Sequence, residues 1–150
     1  MKVLIIEDDE LKHSHLEKFI LLELPHSKIR WCRSYHSGLQ EVLTNQYDLV
    51  LLDMSMHIYE KTSEENGGSF ETYAGRLILA EMEINDVEAK VIVITGYDMY
   101  GDGKTLKTLK AELREEFTEF YLDTVYFVSN QDKWKNEIGI LINRFLKNNE

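Results

Sequence analysis

The chain of 150 residues has room for one domain, and its 43% hydrophobic and 11% aromatic content fits a globular fold with a substantial core. A formal charge of −10, from 27 acidic against 17 basic side chains, argues against nucleic-acid or acidic-lipid binding, which requires a concentrated basic surface. No apolar run approaches the ~20 residues of a membrane span, and Met1-Lys2-Val3 enters a strand at once without a cleavage site, so a soluble, cytoplasmic protein is expected.

The elements alternate along the chain. Val3, Leu4, Ile5 and Ile6 form an uninterrupted apolar run, as in a strand covered by helices on both faces, and it stops at Glu7 and Asp8. Leu11, Leu16, Phe19, Ile20 and Leu24 repeat with helical spacing up to Pro25, the only proline, which cannot continue the helix. Asp9 reads as the cap or first-turn acid of that helix, with a place in a metal shell as the alternative. Residues 28–33 alternate Ile29 and Trp31 with charged neighbours, an edge-like strand in which the single cysteine, Cys32, is a buried thiol. Ser34 can cap a second helix carrying Tyr35, Leu39, Val42 and Leu43.

A third strand at 48–52 ends at Asp53. The connection that follows, 54–69, far exceeds the usual two to six residues, and its Met54, Met56, Ile58 and Tyr59 are too apolar for a simple tether. It is expected to pack partly over the strand ends, a mobile acidic loop being the alternative. Phe70, Ala74, Leu77, Ile78 and Met82 mark a third helix, and Val91 to Ile94 a fourth strand ending at Thr95-Gly96. Leu106, Leu109, Leu113, Phe117 and Phe120 mark a fourth helix, and 125–128 a fifth strand. Trp134, Ile138, Leu141, Ile142 and Phe145 form the face of a closing helix, for which Ser129-Asn130 can serve as N-cap. Five such βα units predict an α/β fold, a doubly wound five-stranded parallel sheet flanked by five helices, as a single domain.

In such sheets the carboxyl ends of adjacent strands line one crevice. Glu7, Asp8 and Asp53 would meet there, and their repulsion demands a cation or a proton, so the pattern predicts a divalent metal. Oxygen ligands of this kind suit Mg2+.

Val-Leu-Ile-Ile-Glu-Asp-Asp at the start and Tyr-Asp-Leu-Val-Leu-Leu-Asp at 47–53, followed by Thr95-Gly96 and Tyr126, resemble the receiver domain of two-component response regulators over the whole chain. The resemblance implies the flavodoxin-like receiver fold and a stand-alone, non-enzymatic signalling domain, with no output domain after Glu150. It makes Asp53 the phosphoacceptor and Glu7, Asp8, Asp53 and the Ser55 carbonyl the Mg2+ ligands. Thr95 and Tyr126 become the phosphate-sensing switch, and Tyr97 a residue flanking the site that would slow self-dephosphorylation. The implied partners are a histidine kinase or phosphotransfer protein as donor and an effector protein as reader.

One departure stands out. Receivers carry a phosphate-clamping lysine at the end of the fifth strand, where this chain has Ser129. Lys104 or Lys133 would have to reach in from elsewhere. Three readings follow: a phosphorylated receiver, a phosphorylation-independent pseudo-receiver, and a metal-dependent phosphatase. The last is weakest, because Asp53-Met54-Ser55 lacks a second aspartate for acid/base work and His57 stands alone in the long loop.

Overall fold

The computed structural model describes residues 1–64 and 66–148; Glu65 of the long connection, Asn149 and Glu150 lie outside the described residues. In chain order the elements are β1 (Lys2–Ile6), α1 (Glu10–Glu23), β2 (Lys28–Cys32), α2 (Tyr35–Thr44), β3 (Leu49–Leu52), β4 (Met56–His57), β5 (Phe70–Glu71), α3 (Ala74–Ile84), β6 (Lys90–Thr95), α4 (Leu106–Glu116), β7 (Tyr121–Tyr126) and α5 (Lys133–Asn148). The main sheet has the order β2-β1-β3-β6-β7 with every pair parallel. The direction of winding therefore reverses between β1 and β3, the switch point at which such sheets open a ligand crevice.

Period-two alternation within the strands divides the core into two layers. Leu4, Ile6, Val50, Leu52, Val91 and Val93 pack with Val42 of α2, Ile78, Leu79 and Met82 of α3, and Leu109 and Leu113 of α4. Val3, Ile5, Leu49, Leu51, Ile92 and Ile94 pack on the other face with Leu16, Phe19 and Ile20 of α1 and Trp134, Ile138 and Ile142 of α5. The doubly wound α/β arrangement expected from the sequence is the one observed.

Several boundaries move. β7 begins at Tyr121 rather than Val125, because Asp123 interrupts an otherwise apolar run. That carboxylate is accommodated by Lys110 at 3.3 Å and Arg114 at 3.2 Å on α4. Phe70 belongs to β5 and not to α3, and Phe117 and Phe120 lie past the last turn of α4, though both are buried. α5 starts at Lys133, so Ser129 and Asn130 sit in the preceding turn and do not cap it. In α1 Leu16, Phe19 and Ile20 face inward as expected, but the row begins at Lys12, only 7% exposed, and not at Leu11, which is 64% exposed.

The described residues of the long connection after β3 fold as a hairpin against the body. β4 and β5 pair antiparallel, and Ile58 N–H to Ser69 O at 3.0 Å and Tyr59 N–H to Gly67 O at 2.9 Å extend the hairpin. Its tip is tied to the start of α2: His36 N–H donates to Ile58 O at 2.8 Å, and the Glu60 carboxylate accepts from the hydroxyls of Ser34 and Ser37. Ser34 and Ser37 also form the capping box of α2, so one cluster closes both the helix end and the hairpin. Burial opposes the charge on Glu60, but the hydroxyl hydrogen bonds prevail and lower its pKa. A carboxylate with a depressed pKa contributes stability above its unfolded value and loses it as the pH falls. Glu60→Ala at neutral pH, and the wild type below about pH 4.5, are therefore expected to speed amide hydrogen exchange at Ile58 and Tyr59 relative to the sheet. Unchanged exchange would show that Glu60 does not hold the hairpin.

Candidate metal and acceptor site

β1 and β3 each end on a carboxylate, and the backbone ladder runs one residue past both strands. Glu7 N–H donates to Cys32 O at 3.0 Å and Asp53 N–H to Ile6 O at 2.9 Å, which fixes where the two side chains leave the sheet. Asp9 caps α1 by accepting from Lys12 N–H at 3.1 Å, so the chain turns into the helix directly after Asp8. Carboxylate oxygens of Glu7, Asp8 and Asp53 lie within 4.8 Å of one another. α3 closes the floor: Gly75 N–H bonds Met54 O at 2.9 Å, and a Cβ at Gly75 would sit 2.4 Å from the Asp53 carbonyl oxygen.

A lysine occupies the centre of this crevice. The Lys12 ammonium lies 2.6 Å from Glu7 Oε2 and 3.1 Å from Asp53 Oδ1, and donates to Ile94 O at 2.7 Å, which engages all three of its hydrogens. Sequence reading passed it over because Leu11, its neighbour, fits an apolar stripe better. The available signal was the row Lys12, Leu16, Phe19, Ile20, in which the lysine begins the buried face one turn after Asp8.

The electrostatics follow from burial. Desolvation pushes the Glu7 carboxyl up to about 9, against the pull of Lys12. Desolvation raises Asp53 as well, with Lys12 again opposing. Burial alone would lower Lys12, but Asp53 and Glu7 more than reverse it, so its pKa is raised and the ammonium stays charged. With all three acids ionised and Lys12 protonated the cluster carries a formal −2, the complement of one divalent cation. Lys12 and the Met54 N–H both engage Asp53 Oδ1, so Oδ2 carries neither bond. The residues therefore fit Mg2+, with Glu7, Asp8 and Asp53 as the acids able to hold it.

No protein-family model matches the sequence. The chain is 28% identical over 144 residues to the uncharacterized protein y4jR of Sinorhizobium fredii, a match covering 92% of this chain and 94% of the relative. Among solved structures it is similar to the receiver domain of the Francisella response regulator 1452, with TM-score 0.59, 18% identity and 99% and 98% of the two chains covered. It is also similar to the receiver domain of the LuxO-type repressor protein from Vibrio parahaemolyticus, with TM-score 0.62, 18% identity and 99% and 94% coverage. A third is the response regulator TrrA of Thermotoga maritima in complex with Mg2+-BeF, with TM-score 0.56, 20% identity and 93% and 97% coverage. The fold is that of a response-regulator receiver.

Within the receiver fold the remaining candidates are placed as follows. Ser55 is buried, and its hydroxyl donates to Thr72 O at 2.6 Å. Thr95 is fully buried at the end of β6. Tyr126 pairs with it in register but is 39% exposed, and Tyr97 is 49% exposed. The buried aromatic partner of Thr95 is Tyr100, 5% exposed, whose hydroxyl lies 2.8 Å from Thr95 Oγ1; Tyr97 N–H donates to the same oxygen at 3.1 Å. Ser129 is exposed. Lys104 is held by Glu112 at 2.6 Å, and Lys133 is 82% exposed beside Glu137, so neither fills the crevice. His57, which looked isolated in the sequence, is brought by the hairpin to 3.3 Å from Asp8 Oδ2. Among the described residues no helix is long and apolar enough to cross a membrane.

Trp31 offers a reporter, since its indole N–H donates to Glu7 O at 2.8 Å. A divalent cation competes with the proton on Glu7, so its affinity should rise with pH up to about 9. Tryptophan fluorescence titrated with Mg2+ between pH 6 and pH 9 should show that rise, and Glu7→Gln should flatten it. An affinity independent of pH in the wild type would rule the competition out.

Proposed function

We propose that the protein is a receiver domain of phosphorelay signalling, phosphorylated on Asp53 with Mg2+ and acting through protein–protein interaction. The observation that carries this reading is the convergence of Glu7, Asp8 and Asp53 with a buried lysine at the switch point between β1 and β3. Phosphoryl transfer to a carboxylate asks little covalent chemistry of a protein; it requires an in-line nucleophile and compensation of charge on the moving group. The backbone bond to Ile6 and the close packing of Gly75 against the Asp53 carbonyl, which fix the backbone at that residue, support Asp53 as the nucleophile. Mg2+ held by Glu7, Asp8, Asp53 and the Ser55 carbonyl would neutralise phosphoryl oxygens. The donor would be a histidine kinase or phosphotransfer protein.

Signal output would begin at Thr95. Its hydroxyl is bonded to Tyr100 and the Tyr97 N–H, both in the β6–α4 loop, so a phosphoryl group that drew this hydroxyl toward Asp53 would break the bond to Tyr100 and release that loop. An effector protein would read the changed surface.

The pseudo-receiver reading is favoured by one observation, that Lys12 already satisfies Glu7 and Asp53 without any ligand. Incubation with acetyl phosphate and Mg2+, followed by intact-mass measurement, separates the two. A phosphoryl adduct on wild type, absent from Asp53→Asn, is expected. No adduct on wild type would leave the pseudo-receiver reading standing.

The packing of α3 supports a second check. Gly75→Ala forces the Asp53–Met54 backbone to shift, at a cost of about 1–3 kcal/mol. A lowered Tm together with slower adduct formation is expected; an unaltered rate would show that the acceptor does not depend on this contact.

A further inference from the structure

We propose that Lys12, reaching in from α1, is the cation that grips the phosphoryl group on Asp53, in the part that receivers assign to a lysine at the end of the last strand. This rests on Asp53 being the acceptor. The ammonium is already 3.1 Å from Asp53 Oδ1, and its side chain is buried with both carboxylates and the Ile94 carbonyl as partners. The backbone at Lys12 is fixed by the Asp9 cap, so the amino group is aimed by the helix start and not by a mobile loop.

The residues at the end of β7 do something else. Phe127 is buried, packs tilted against Trp134 of α5 with ring centroids 4.8 Å apart, and places its ring 5.9 Å from the Lys12 ammonium. An apolar ring thus stands beside the charge, and Ser129 lies exposed beyond it. The other lysines considered, Lys104 and Lys133, are committed to Glu112 or to solvent.

In the transfer step an Asp53 carboxylate oxygen bonds to phosphorus as the phosphorus–oxygen bond of acetyl phosphate breaks, and acetate leaves with the electron pair; no proton is gained or lost. Charge on the carboxylate then moves outward onto the phosphoryl oxygens. Lys12 can follow it on its flexible stem by giving up the Ile94 carbonyl, a neutral partner, for an anionic oxygen, which makes the stronger hydrogen bond. The Ile94 carbonyl directly precedes Thr95, so the same movement reaches the residue whose hydroxyl holds Tyr100.

Two measurements test this. Wild type and Lys12→Met are compared for adduct formation with acetyl phosphate, for beryllofluoride binding and for Mg2+ affinity, with Lys12→Arg as the conservative variant. Lys12→Met should form the adduct roughly 100-fold more slowly, bind Mg2+ at least as tightly because a repelling charge is gone, and recover in part as Lys12→Arg. In the wild type, the 15Nζ resonance of Lys12 should shift on addition of beryllofluoride with Mg2+; this second measurement decides alone if Lys12→Met does not fold. Adduct formation by Lys12→Met at the wild-type rate, or an unmoved 15Nζ resonance while wild type carries beryllofluoride, overturns the assignment. Absence of any adduct on wild type overturns it by a different route, since the acceptor reading then fails first.

Discussion

Two carboxylates of this protein, Glu7 and Asp53, are buried where adjacent parallel strands end, and the Lys12 ammonium lies between them. Burying acids side by side is tolerable only when a cation or a proton offsets their charge. Removing one partner of such a buried pair typically costs about 3–5 kcal/mol, because the charge left behind has no solvent to turn to. The position of α1 is tied to this constraint, since Asp9 begins the helix and Lys12 is one turn in. The third bond of the ammonium, to Ile94 O, draws β6 into the same arrangement, so α1 meets the ends of β1, β3 and β6 at one charged group.

The hairpin adds a rim to the crevice. Its tip is anchored on the capping serines of α2, and its base places His57 against Asp8. Asp8 is the least buried of the three acids, and the contact with His57 covers it from the side of the hairpin. The core below shares a residue with the hairpin, since Met56 of β4 is fully buried in the layer closed by α2, α3 and α4, while α1 and α5 close the other layer.

The fold was readable from the sequence where burial leaves little choice. β1, β3 and β6 are continuous apolar runs, and each was placed within a residue or so, together with the carboxylates or threonine that end them. Reading failed where charged side chains are drawn into the fold by distant partners. Asp123, half-buried in β7, hid the first half of that strand, because the cations that pair with it, Lys110 and Arg114 of α4, are revealed by no local pattern. Lys12 was lost for the same reason. A lysine on the inner face of a helix looks like an error of phase until the carboxylates it meets, one of them 41 residues away in sequence, are known to lie opposite. Asp9 and Ser34 were readable as caps, since capping is a local interaction; Ser129 and Asn130 were misread because the turn they occupy precedes α5 by three residues.

Phe127 carries a consequence for how this sequence can vary. With the crevice ammonium supplied from the helix that follows β1, the stretch after β7 has no charge to deliver, and its buried member serves the contact between the sheet and Trp134. The electrostatic parts Glu7, Asp8 and Lys12 then fall within six consecutive positions, so one strand end and the first turn of one helix carry them. The end of β7 is left to follow the rules of hydrophobic packing, under which one apolar side chain of similar volume replaces another at little cost.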